Sequence, residues 1–308
     1  MPRIYLPINH IIDNRISITN EKARYLISVL RCRKGDELII FDGKGNFLKT
    51  RILKADRREV ITEVIENFSC DTESHIDITL VQGLLKGGKM DMVIQKTTEL
   101  GVKEIIPVVT ERSQLRETMK VARWRKIAEE ASRQSGRSII PIVHDPMEFK
   151  EFFSKQASIN YPPQSPLTKG GIKGGGFIFY EEGGMKLSEA VEIFKQRFNY
   201  TLPSPLPLRE GRHTPTPLSR GDTSLHPSQE GTISDSQPSN PPIPPLVKGG
   251  EGGFFVFIGP EGGFTKEEII LAKEKGLLIT SLGERILRAE TAAISAVTLL
   301  QFLLGDMG

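Results

Sequence analysis

From Ile76 onward, short apolar runs alternate with amphipathic stretches, and this alternation limits the chain to few folds. Ile76–Gln82, Val102–Val109, Ile139–Val143, Phe177–Tyr180, Phe254–Ile258 and Leu277–Thr280 read as strands. Helical patterns lie between them. Lys89–Leu100 places Met90, Val93, Ile94, Thr97 and Leu100 on one face and stops at Gly101. Val121–Ser135 turns Val121, Trp124, Ile127, Ala128 and Ala131 inward, and Lys266–Lys275 and Ala289–Leu304 follow. Strands and helices in this order predict an α/β domain, a mostly parallel sheet with helices on both faces.

Two stretches interrupt that order. Thr201–Gly253 holds 11 prolines and 7 glycines in 53 residues and no aromatic residue, so no helical or strand period survives there. Pro162–Gly176 is a shorter stretch of the same kind. Pro166-Leu-Thr-Lys-Gly-Gly171 in one repeats as Pro245-Leu-Val-Lys-Gly-Gly250 in the other. Each stops just before an aromatic-rich strand. This composition cannot bury enough apolar surface to offset ordering, so both are expected to be disordered or polyproline-like. The repeat and the resumed strand pattern favour insertions into one domain over an interdomain linker. Without these 68 residues, 240 of the 308 remain, enough for two domains.

Residues 1–72 read as the first domain and 73–308 as the second. In the first, Asp36–Asp42, Phe47–Lys54 and Glu59–Glu66 form a meander. Glu21–Cys32 reads as one helix, with Asn20 as its cap and Gly35 beyond its end. The expectation is a small β-barrel-like module. Residues 1–70 carry 13 Lys and Arg against 9 Asp and Glu, so the chain's +3 divides into +4 there and −1 elsewhere. Arg24, Arg31, Arg33, Lys34, Lys49, Arg51, Lys54, Arg57 and Arg58 contribute to this excess, as a solvated surface or as an RNA-contacting face.

Several classes are excluded. The mild net charge rules out a histone-like polycation. Two cysteines, Cys32 and Cys70, make neither a disulfide framework nor a CxxC metal pair, and the five histidines show no ligand spacing. No metal site is expected. No apolar run approaches the ~20 residues of a membrane span, and MPRIYLPINH lacks the features of a signal peptide. A soluble, cytoplasmic protein is expected.

Four motifs carry the chemistry. In the first, the strand Phe254–Ile258 runs into Gly259-Pro-Glu-Gly-Gly263, and Thr265 and Glu268 then have capping-box spacing. Open α/β sheets bind ligands at strand carboxyl ends, although a tight turn accounts for the same glycines. In the second, Arg285, Arg288, Glu290 and Thr291 crowd the start of an otherwise apolar helix, which Thr291 is placed to cap. They form either a site or an ion pair that orients the helix. In the third, Lys86 and Lys89 flank two glycines at a helix start, and Arg112 sits at a strand carboxyl end. These are an anion site or solvated turn charges. In the fourth, Arg133 and Arg137 close a helix, where they complement its dipole or meet RNA phosphates.

At these motifs the chain resembles the small-subunit (16S) ribosomal RNA uridine-N3 methyltransferase family, of the SPOUT, or α/β trefoil-knot, class. The resemblance rests on Gly259-Pro-Glu-Gly-Gly263 together with Leu282-Gly-x-Arg-Ile-Leu-Arg-x-Glu-Thr-Ala292. Lys86-Gly-x-Lys89, Gln95-Lys-x-x-Glu-Leu-Gly101, Thr110-Glu-Arg-Ser113 and Gln134-Ser-Gly-Arg137 extend it, as do Arg3-Ile-Tyr, Val29-Leu-Arg31 and Gly35-Asp36. It covers nearly the whole chain outside the two insertions.

The resemblance implies a PUA-like barrel ahead of a knotted α/β domain, in a homodimer that binds S-adenosylmethionine. The implied cofactor loops contain Tyr180 and Glu181, then Gly259, Pro260, Glu261, Gly262 and Gly263. The third contains Ser281, Leu282, Gly283, Arg285, Ile286, Leu287 and Arg288, with Thr291 behind it. Arg288 and Glu290 are the implied catalytic pair, with Arg112 behind them. Arg24, Arg31, Arg33, Lys86, Lys89, Arg133 and Arg137 are the expected RNA contacts. The expected partner is ribosomal RNA in the small subunit, with no membrane and no metal. Two other readings are a non-catalytic ribosome-assembly factor and a SPOUT methyltransferase of another RNA.

Overall fold

The computed structural model describes residues 1–7, 14–69, 72–158, 175–198 and 253–307. Both expected insertions lie outside the described residues, apart from Gly175, Gly176 and Gly253. Gly176 is already the first residue of a strand.

The N-terminal residues form β1 (Arg3–Tyr5), β2 (Arg15–Thr19), α1 (Asn20–Arg24), β3 (Glu37–Phe41), β4 (Asn46–Ala55) and β5 (Glu59–Ser69). The five strands make one sheet in the order β1-β3-β4-β5-β2, with only β1 and β3 parallel. Register breaks between Lys49 and Thr50 and between Ile52 and Lys54 bend β4 against β5. Among the described residues no ladder joins β1 to β2, so the expected barrel is an open, curled sheet. It wraps a core of Ile4, Ile16, Ile18, Ala23, Leu26, Leu38, Ile40 and Ile52.

The expected helix Glu21–Cys32 is corrected. α1 is short and passes into a π-helical turn at Tyr25–Val29, closed by Leu30 N–H to Tyr25 O at 3.1 Å. Asn20 does not cap it. Its φ of +60° reverses the chain out of β2, and Thr19 stands at the cap position without a side-chain bond. Asn is one of the few residues that tolerates this conformation.

The rest runs β6 (Ile78–Gly83), α2 (Lys89–Glu99), β7 (Glu104–Val109), α3 (Val121–Ser135), β8 (Ile142–Val143), β9 (Met147–Glu148), α4 (Phe149–Ser158) and β10 (Gly176–Phe179). Then come β11 (Met185–Lys186), α5 (Leu187–Phe198), β12 (Phe254–Ile258), α6 (Lys266–Glu274), β13 (Leu278–Ser281) and α7 (Ala289–Leu304). All ladders of this second sheet are parallel, in the order β11-β13-β10-β12-β6-β7-β8, with β9 beside β7. Ile139–Val143 was expected as a full strand. Only its last two residues join β7, and Ile139 bridges instead to Lys44 in the turn between β3 and β4.

β12 shows why both faces need cover. Its side chains alternate. Phe254, Val256 and Ile258 enter a core shared with α2, α3, α5 and α7, while Phe255 and Phe257 enter another with α4 and α6. On the second side, Phe152 of α4 stands edge-on to Phe255 and Phe257, each at 5.3 Å. β12 inserts between β10 and β6, which precede it in sequence. The loops after β10, β12 and β13 therefore meet at one carboxyl edge.

Candidate active site

At that edge lies a cavity of about 330 Å³, at the lower end of the ~300–1,000 Å³ range of small-molecule sites. Three loops wall it. The loop after β10 contributes Tyr180 and Glu181, and the loop after β12 contributes Gly259, Pro260, Glu261 and Gly263. The loop after β13 contributes Ser281, Leu282, Gly283, Arg285, Ile286, Leu287 and Arg288. Of the fifteen expected cofactor residues, only Gly262 and Thr291 are not in the wall. Gly262 faces Arg112, while Thr291 is exposed on the first turn of α7. It does not cap the helix, because Arg288 holds the cap position three residues earlier than expected.

Glycine is required where these loops cross. A Cβ on Gly83 would sit 2.5 Å from Pro260 N, so the loop after β12 lies against the end of β6 by backbone contact. Gly263 has a φ of +68°, and a Cβ there would come 2.9 Å from Glu181 Oε1. Gln82, wholly buried in β6, holds the start of this loop by donating from Nε2 to Gly259 O at 3.3 Å. The capping box of α6 is present. Thr265 Oγ1 accepts from Glu268 N–H at 3.2 Å, and Glu268 Oε2 accepts from Thr265 N–H at 2.9 Å.

Glu261 answers the anion-site expectation. It accepts from the Lys86 backbone N–H at 3.2 Å and from Lys89 Nζ at 3.0 Å. The anion at this helix start is therefore the protein's own carboxylate. Burial alone would raise the Glu261 pKa, but hydrogen bonds from Lys89 and the backbone outweigh it and hold the carboxyl below its ordinary range. Partial burial, followed by the hydrogen bond to Glu182, pushes the Tyr180 phenol up.

The expected catalytic residues separate. Arg288 and Glu290 line the cavity. Glu290 Oε2 is buried and has no hydrogen-bond partner among the described residues. Arg112 is outside the wall and braces it, donating from Nη1 to Gly262 O at 3.1 Å.

The expected RNA contacts also divide. Arg24, Arg31 and Arg33 are exposed on the first sheet's module and have no carboxylate partner among the described residues. Lys49 and Arg51 are paired with Glu37, and Lys54 with Glu59. Arg133 stacks on Tyr25 at 5.3 Å. Arg137 is corrected outright. It is 3% exposed, paired with Glu73 and bonded to the carbonyls of Thr98 and Val102, out of reach of any phosphate.

Lys89, expected as an RNA contact, also lines the cavity, as do Phe179, Ile258, Phe264, Glu284, Ala289 and Ala292, none of which was expected as a cofactor or catalytic residue. For these last six the sequence signal is position, since each borders or lies within one of the three loops.

A family model described as an RNA methyltransferase domain matches residues 72–199 and 224–301, and one described as an RNA methyltransferase PUA domain matches 18–65. The chain belongs to the RNA methyltransferase family. Among relatives of this methyltransferase, the Ribosomal RNA small subunit methyltransferase E of Synechocystis sp. is 27% identical over 98% of this chain and 78% of its own length. That of Bacillus subtilis is 26% identical over 93% of this chain and 89% of its own length. The crystal structure of a Ribosomal RNA small subunit methyltransferase E from Neisseria gonorrhoeae, bound to S-adenosyl methionine, superposes with a TM-score of 0.71. It has 28% identity and full coverage of both chains. The methyltransferase thus has a SPOUT α/β domain behind a PUA-like module.

Proposed function

We propose that this chain is an S-adenosylmethionine-dependent methyltransferase that modifies N3 of a uridine in the ribosomal RNA of the small subunit. The observation that carries the reading is the placement of Glu290. Its buried Oε2, without a hydrogen-bond partner among the described residues, belongs to a residue lining a ligand-sized cavity beside Arg288. The relatives' small-subunit RNA specificity and the bound S-adenosyl methionine of the Neisseria protein support it.

The residues suit that cofactor. Phe179, Ile258, Leu282 and Leu287 give apolar wall for an adenine ring, the glycine loops let backbone groups approach, and Glu181 and Glu284 offer carboxylates toward a cation. When bound, the cofactor supplies an electrophilic methyl group on sulfonium sulfur. Uridine N3 carries a proton at neutral pH and attacks only as that proton leaves. In this reading Glu290 accepts the proton while Arg288 orients the uracil and offsets its developing negative charge. N3 lies on the Watson–Crick edge, so the target base enters unpaired. The N-terminal module, residues 1–72, holds neighbouring RNA through Arg24, Arg31 and Arg33, while residues 73–308 form the catalytic domain. A second copy of the chain completes a homodimer, working in the cytoplasm on ribosomal particles.

The test is single-turnover methylation of small subunits lacking the mark. Glu290→Gln is expected to slow transfer by roughly 10²–10⁴-fold, with S-adenosylmethionine affinity retained within a few-fold in calorimetry. Near-normal transfer by both Glu290→Gln and Arg288→Ala would overturn the assignment.

A further inference from the structure

The carboxyl edge of the second sheet carries more positive charge than the cavity accounts for. Lys86 follows β6, while Arg112, Arg116 and Lys120 belong to the loop after β7, and all four are exposed. None pairs with a carboxylate among the described residues. Three of them donate to backbone carbonyls instead. Arg112 Nη1 reaches Gly262 O at 3.1 Å, Arg116 Nη2 reaches Glu111 O at 3.4 Å, and Lys120 Nζ reaches Gly87 O at 3.4 Å. A carbonyl orients a cation without cancelling its charge. Neighbouring cations are treated differently, since Lys89, Arg123 and Lys150 are matched by Glu261, Asp91 and Glu111.

The same bonds tie the loops after β6, β7 and β12 into one continuous arc. One end of the arc is Gly262, which lies between two cavity-lining residues, Glu261 and Gly263. Within the arc Met119 is 99% exposed, an apolar side chain beside the cations.

We propose that this arc is a docking track for the phosphate backbone of the RNA strand that flanks the target nucleotide, distinct from the N-terminal module. The proposal rests on the reading of the cavity as an RNA-methylating site. A row of cations without carboxylate partners among the described residues, with the exposed Glu117 as the one unpaired carboxylate among them, begins at the cavity mouth and matches a strand whose one base enters and whose phosphates stay outside. Met119 gives the unstacked neighbouring base an apolar surface.

Binding of a fluorescein-labelled small-subunit ribosomal RNA transcript, followed by anisotropy across a potassium chloride series, tests this. For Arg116→Gln with Lys120→Gln, the slope of log affinity against log salt is expected to flatten by roughly 1.4, at about 0.7 per lost single-strand phosphate contact. Affinity near physiological salt should fall roughly tenfold, with S-adenosylmethionine affinity within twofold of the parent. The charge-preserving pair Arg116→Lys with Lys120→Arg should keep the parent slope. Lys273→Gln with Lys275→Gln, at the far end of α6, should keep it too. A neutralised arc with the parent's slope and affinity would overturn the proposal, as would an equal loss from the α6 pair. Failure of the parent chain to bind S-adenosylmethionine would sink the cavity reading alone, because the salt slope is measured without cofactor.

Discussion

Glu73 accepts from Arg137 Nε and Nη2 at 3.1 and 2.6 Å, and from the backbone N–H groups of Ser138 and Ile139 at 2.9 and 3.0 Å. It lies just before β6, on the segment joining the two sheets. Burial pushes its carboxyl up, but the bonds from Arg137 and the two amides outweigh this and hold it below the ordinary range. A carboxyl depressed in the folded state adds stability above its unfolded value of ~4.3, and that stability is lost as pH falls through the folded value. Arg137→Met should therefore destabilise the fold by about 3–5 kcal/mol near neutrality, since it strands a buried carboxylate. In thermal melts, the gap between the parent and Glu73→Gln should shrink as pH falls from ~4.3, where the unfolded chain begins to take up the proton, through the lower folded value. A gap constant down to pH 3 would contradict this account. No sequence pattern marked the pair, because its partners are 64 residues apart.

Elements were more legible than pairings. α3, α7 and β12 occupy the spans their periodicity predicts. α4 and α5 were not expected from the sequence, although Phe149, Phe152 and Phe153, and Leu187, Ala190, Val191 and Phe194, recur at helical spacing. Each begins against a two-residue strand and runs into a low-complexity stretch, so the period is framed on neither side. α7 shows what an element can imply about assembly. Ala292, Ser295, Leu299 and Phe302 lie along one stripe, with Leu299 41% and Phe302 58% exposed. In the homodimer proposed above, a second copy of the chain would cover this stripe. Phe302→Asp should accordingly lower the sedimentation-equilibrium mass from dimer toward monomer, and a parent chain already monomeric would refute that use of the stripe. The start of α6 serves the cavity locally, because Glu268 also accepts from Glu111 N–H at 2.9 Å and so ties the glycine loop to the charged arc.

In the whole molecule, the two unusual stretches enter the catalytic sheet at the amino ends of β10 and β12, while the cavity is built at the carboxyl ends. Lengthening a connection costs only ~0.6 kcal/mol per doubling. Deleting residues 201–253 should thus leave S-adenosylmethionine affinity unchanged in calorimetry, and a large loss would mean that the stretch reaches the site. Periodicity is a local property, so most strands and helices could be read from the order of residues alone, while the three cavity loops followed from the family resemblance. The use of each charge could not. Lys89 meets Glu261 across 172 residues and Arg137 meets Glu73 across 64, so only the parallel sheet order that brings these loops together decides which cations are neutralised and which still face outward.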